Sequence, residues 1–170
     1  MAYDVPGMKV VLSQPNTMAC WATVYAMMLS WKRQQSFDIA PAVETVGATY
    51  LTIFQNNTGL PSAQFGSFLV AAGMQRQPMI NLPIASWEAL LRRYGLLWVG
   101  ALNTIGAGAG LHSRIVEGIA GNGTAAGSSM KIIDPAGGRR YVETFPVFTA
   151  KYEGAIRITG GEYYQIRHFA

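Results

Sequence analysis

The chain has 170 residues, 50% of them hydrophobic and 13% charged, with a formal net charge of +4. That length fits one compact domain able to bury about 70% of its unfolded surface, and the composition excludes a disordered chain. The cations are dispersed rather than striped among aromatics, which sets nucleic acid aside as a partner. No run of about 18 apolar residues offers a membrane span. One cysteine excludes an internal disulfide, and with only two histidines there is no ligand-spaced metal cluster, so no cofactor is expected. The opening MAYDVPGMKVVLSQPN lacks the basic and apolar regions of a secretory signal.

In chain order, CWATVYAMMLSWKR at 20–33 is apolar on nearly every face, as a buried central helix would be. Asn16 or Thr17 is the expected cap. Pro41 suits the first turn of a second helix, AVETVGATYLTIF. Pro61–Ser62 opens a third, closed by Gly73, and Ser86 is read as the cap of a fourth, WEALLRRY, closed by Gly95. From 96 onward the pattern changes. LLWVGAL is a short apolar run, GAGAG at 106–110 a flexible loop, and HSRIVEGIA at 112–120 a strand. GNGTAAGSS is a turn-rich connector and MKIID at 130–134 a further strand. Arg139–Arg140 reads as a solvated turn. AIRITG at 155–160 and YYQIRHF at 163–169 read as a closing hairpin about Gly160–Gly161. Helices first and strands afterwards predict an α+β domain spanning 1–170, with a helical lobe at about 1–95 and a sheet lobe at about 96–170. Trp21, Trp31, Trp98 and Met27–Met28 are assigned to the core.

Cys20 stands where the polar PNT segment meets the first helix. A helix N-terminus and a nearby imidazolium both lower a thiol pKa, which makes Cys20 a candidate nucleophile. Its base must be His112 or His168. A base needs an acceptor on its second ring nitrogen. If the 112–120 and 130–134 strands pair as antiparallel neighbours, Asp134 falls beside His112. Asp134 is also the only one of three aspartates beyond His112, whereas no acid follows His168. Gln14, six positions before the thiol, is the candidate oxyanion donor, together with the backbone N–H of Cys20.

These residues carry a resemblance. The spacing Q-x5-C-W-A, and the order Cys20, His112, Asp134, resemble papain-like cysteine peptidases. The chain departs from the lysosomal type. Met18–Ala19 replaces the residues before that group's cysteine, His112 follows after 92 residues rather than roughly 130–150, and the third member is Asp. HSRIVEGIAGNG followed by KIIDPAGG is similar to the arrangement in compact bacterial double-glycine peptidases, which process bacteriocin leaders, and in effector peptidases that bacteria deliver into other cells. The resemblance implies a papain-like fold, with a buried central helix in the N-terminal lobe and an antiparallel sheet in the C-terminal one. It implies an endopeptidase acting on a protein or peptide, with small or glycine residues at the cleavage point.

With a nucleophile at position 20, no inhibitory propeptide is expected before it. Narrow specificity, export or a partner inhibitor must then protect the producing cell. The resemblance to delivered effectors implies a toxin domain made in a bacterial cytoplasm, sent into a target cell and neutralised by a cognate immunity protein. The same triad also suits a peptidoglycan amidase, a deamidase or an acyltransferase. A catalytically silent peptide-binding module is the remaining alternative, although keeping Gln14, Cys20, His112 and Asp134 together speaks against silence.

Overall fold

A computed structural model describes residues 2–78, 80–159 and 165–170. Helix α1 (Cys20–Arg33) is the central helix, buried continuously from Trp21 to Ser30. Its cap is Ala19, not Asn16 or Thr17, and no side chain caps it. The reason is that residues 15–18 form an intervening turn, in which the Asn16 carbonyl accepts the Ala19 N–H. At the other end Gln34 adopts a left-handed conformation and its N–H closes the helix on Ser30 O and Trp31 O, beside Lys32 and Arg33. Those two cations complement the negative end of the helix dipole.

The single helix expected after Pro41 is two, α2 (Ile39–Glu44) and α3 (Ala48–Gln55), broken at Gly47, whose φ is 149°. Pro41 does occupy the first turn of α2. Helix α4 (Ser62–Ala71) follows Pro61 as expected. Helix α5 (Ile84–Tyr94) begins after Pro83, three residues ahead of the expected start. Proline's fixed φ suits that position, Ile84 is buried, and Ser86 donates its N–H to Pro83 O from within the first turn. Gly95 closes α5 with φ +77°, and a Cβ there would collide with the Trp31 ring.

The strands are β1 (Tyr3–Asp4), β2 (Met74–Arg76), β3 (Leu97–Leu102), β4 (Leu111–Gly121), β5 (Ser128–Asp134), β6 (Arg139–Thr144) and β7 (Ile166–Phe169). They form one antiparallel sheet in the order β2-β7-β3-β4-β5-β6, with β1 on β4. Arg139 and Arg140 are therefore strand residues rather than a solvated turn. Arg139 pairs with Asp134 and Arg140 with Ile133, and the Arg140 side chain is held by Glu117 at 3.0 Å. Residues 155–159 are helical, not a strand: they end α6 (Phe145–Thr159). The local alternation of AIRIT mimics a strand. Burial of Phe145, Phe148, Tyr152 and Ala155, at helical spacing, decides otherwise. The expected turn at Gly160–Gly161 lies outside the described residues.

Aromatic edges lock the layers. Phe68 of α4 meets Trp21, Tyr25 and Tyr50 edge-on, with centroids 5.1–5.5 Å apart, and Trp87 of α5 meets Phe148 and Tyr152 of α6 at 5.0 and 5.3 Å. Such pairs add about 0.5–1.5 kcal/mol each beyond the area they bury. Trp21, Trp98, Met27 and Met28 are core residues, while Trp31 packs at the core's edge with its indole N–H on Pro6 O.

Candidate active site

Two chain segments meet at the N-terminus of α1. The first is the loop leading into Cys20, and the second is the β4–β5 pair. Antiparallel pairing sets Ile115 opposite Ile133 and Val116 opposite Ile132. The start of β4 and the end of β5 therefore lie together, and His112 Nε2 stands 2.7 Å from Asp134 Oδ1. With Nε2 engaged, Nδ1 is left for the hydrogen bond between His112 and the Cys20 thiol. Cys20 is the first residue of α1, so the uncapped first turn presents the positive end of its dipole to the sulfur.

The electrostatics follow from this geometry. Burial by itself pushes the Cys20 thiol up. Hydrogen bonds from His112 and from the backbone N–H and hydroxyl of Ser113, with the His112 charge, outweigh it and hold the thiol below its ordinary value. Burial pushes His112 down, but its bonds to Asp134 and Cys20 and their charges raise it to about 9. Asp134 is likewise pushed up by burial, and more strongly held down by His112, the Ala136 N–H and the Arg114 charge. Both shifts favour the thiolate–imidazolium pair over the neutral one.

Gln14 is placed by its backbone. Its N–H donates to Pro135 O at 2.8 Å, which ties the loop before Cys20 to the turn after Asp134. Gly138 in that turn has φ +57°, and an ideal Cβ there would come 2.9 Å from Ser13 N. The Gln14 amide donates to Asn16 O at 2.9 Å and, at a longer 3.4 Å, to Thr17 O, so it is oriented by the same loop that delivers Cys20. His168, the other candidate base, lies in β7, which β3 and β4 separate from β5. It is fully buried, stacked on Tyr94, and engaged at both nitrogens, by Gln77 and Phe169 O.

Sequence reasoning missed Ser113, whose only signal is that it follows His112. It also missed Tyr141, whose hydroxyl lies 3.4 Å from Asp134 Oδ2. Among the described residues no three His, Cys, Asp or Glu side chains gather as a metal would require, and no helix is long and apolar enough to cross a membrane.

Thiol, imidazole and carboxylate in that order, between a helix N-terminus and an antiparallel sheet, make up the layout of a papain-like cysteine hydrolase. Residues 1–153 match the family model described as papain-like cysteine protease AvrRpt2, and the chain belongs to that family. It is therefore a thiol protease with a papain-like α+β fold, and its substrate is protein. No curated protein matches the chain.

Proposed function

We propose that the chain is a cysteine endopeptidase in which Cys20 is the nucleophile, His112 the base and general acid, and Asp134 the residue that orients His112. The observation that carries this reading is the His112 Nε2–Asp134 Oδ1 contact at 2.7 Å, on an imidazole that also bonds the Cys20 thiol. Cys20 attacks the scissile carbonyl as the thiolate. Gln14 and the Cys20 N–H receive the oxyanion, and His112 gives its Nδ1 proton to the departing amine. Water, losing a proton to the now neutral His112, then opens the thioester, releasing the acid and restoring the thiolate–imidazolium pair.

Exposed apolar side chains precede both reacting residues, Met18 before Cys20 and Leu111 before His112. They suit a narrow preference for particular peptide segments. Cleavage beside small or glycine residues rests on the likeness to double-glycine peptidases alone. The effector resemblance supports delivery into a target cell as a toxin domain, and a cognate inhibitor enters on the argument of self-protection. The test is the rate of Cys20 alkylation against pH in the native chain and in His112→Ala. Fast labelling well below pH 7 that collapses in the variant is expected. Equal, slow labelling with an ordinary thiol profile near about 8.5 overturns the triad. Protein and cell-wall substrates assayed side by side then separate a peptidase from an amidase.

A further inference from the structure

Asp134 has two oxygens, and only one is spoken for by the triad. Oδ1 accepts from His112 Nε2 at 2.7 Å and from the Ala136 N–H at 2.8 Å. Oδ2 faces the Tyr141 hydroxyl at 3.4 Å and, at 3.8 Å, Arg139, a side chain that is itself largely exposed. The torsion of an aspartate carboxylate about its last bond is soft, so a carboxylate anchored through one oxygen can turn its acceptor away from the imidazole.

The Tyr141 hydroxyl is itself held. Arg114 Nη1 donates to its oxygen at 2.8 Å and to Glu143 Oε1 at 2.7 Å, and Glu143 Oε2 accepts from Lys151 at 2.7 Å. With Arg114 donating to the phenol oxygen, the Tyr141 proton is left to point at Asp134. Arg114 is 1% exposed and Glu143 8%. Among the described residues, Arg114 Nε and Nη2 find no hydrogen-bond partner. Burying ions in this way is costly, and apolar replacements commonly serve stability as well or better. A row of alternating charge, from Lys151 through Glu143 and Arg114 to the Tyr141–Asp134–His112 contact, therefore calls for a role other than packing. These groups come from β4, β6 and α6, and the row reaches the carboxylate oxygen through the Tyr141 hydroxyl.

We propose that Tyr141 is a positioning residue for proteolysis, fixing the plane of the Asp134 carboxylate so that Oδ1 stays on His112, and that the buried Arg114–Glu143–Lys151 row fixes Tyr141 in turn. The proposal rests on the triad reading above. Tyr141 touches no substrate and acts only through Asp134. By donating to Oδ2 it also keeps that oxygen ionised, which strengthens the hold of Asp134 on the imidazolium and, through it, on the thiolate.

The experiment is the pH profile of Cys20 alkylation by iodoacetamide in the full chain, for the native protein, Tyr141→Phe, Glu143→Gln and Asp134→Asn, with melting temperatures recorded alongside. Tyr141→Phe keeps the ring and removes only the hydroxyl. Its acid-side labelling is expected to slow about fivefold to tenfold, the equivalent of one hydrogen bond. Its profile should move in the same direction as that of Asp134→Asn, by less. Glu143→Gln, which keeps the shape of the row and loosens Arg114, should move it the same way by a smaller amount, and it answers the question if Tyr141→Phe does not fold. A Tyr141→Phe profile that superimposes on the native one while Asp134→Asn is displaced overturns the positioning role and leaves the triad standing. A native profile with an ordinary thiol titration overturns both.

Discussion

Asp134→Asn is the perturbation whose consequences the structure sets out most fully. The carboxylate lies 2.7 Å from His112 Nε2, and it supplies the first of the favourable contributions that lift the imidazole from 6.5 to about 9 against the opposing effect of burial. Asp134 and Cys20 together outweigh burial in producing that rise. Asparagine keeps an acceptor for the His112 and Ala136 N–H groups but loses the charge. It also turns an NH2 toward the Tyr141 hydroxyl and Arg139, both donors. The thiolate–imidazolium pair should then exist over a narrower range. Its alkaline limit should fall below about 9, and its acid limit should rise. Iodoacetamide labelling of Cys20, followed by mass spectrometry from about pH 4 to about pH 10, reads both limits directly. Limits that do not move refute the assignment of Asp134 as the residue that charges His112.

Gln14→Ala should lower the rate of peptide cleavage by about 10²–10³ if its amide receives the oxyanion. It should leave Cys20 alkylation unchanged, because that reaction develops no oxyanion; equal losses in both assays would place Gln14 in thiol activation instead. Gly138→Ala forces a left-handed alanine against Ser13, at a cost of about 1–2 kcal/mol. The expected fall in melting temperature is about 4 °C, and an unchanged value would mean that the 13–14 segment yields freely. In a Cys20→Ser chain the thiolate no longer compensates His112, and the raised imidazole pKa becomes visible in stability. That contribution is fully present below about pH 6.5 and lost as pH rises through the folded value. Melting temperature should therefore decline across this alkaline window, and adding Asp134→Asn should flatten the decline.

The amino-acid order alone determined α1, because a continuous apolar run between a polar turn and Lys32–Arg33 has no better use than a buried helix. The triad candidates were legible for a similar reason. A single thiol, two histidines and three aspartates leave few combinations, and the short β4–β5 connection brings His112 and Asp134 together through local pairing.

Other features depended on residues far apart in the chain. Arg139–Arg140 looked like a turn because two cations carry no strand signal, yet the exposed edge of β5 was there to pair with them. AIRIT alternates like a strand, and only the pocket offered by Trp87 and the sheet made its residues helical. β1 and β2 are too short to declare themselves and exist because β4 and β7 present open edges. The surroundings of Asp134 belong to the same class. Arg114, Tyr141, Glu143 and Lys151 are unremarkable by position, and their charges gained a direction only when β4, β6 and α6 closed around them and removed the water that would have screened them.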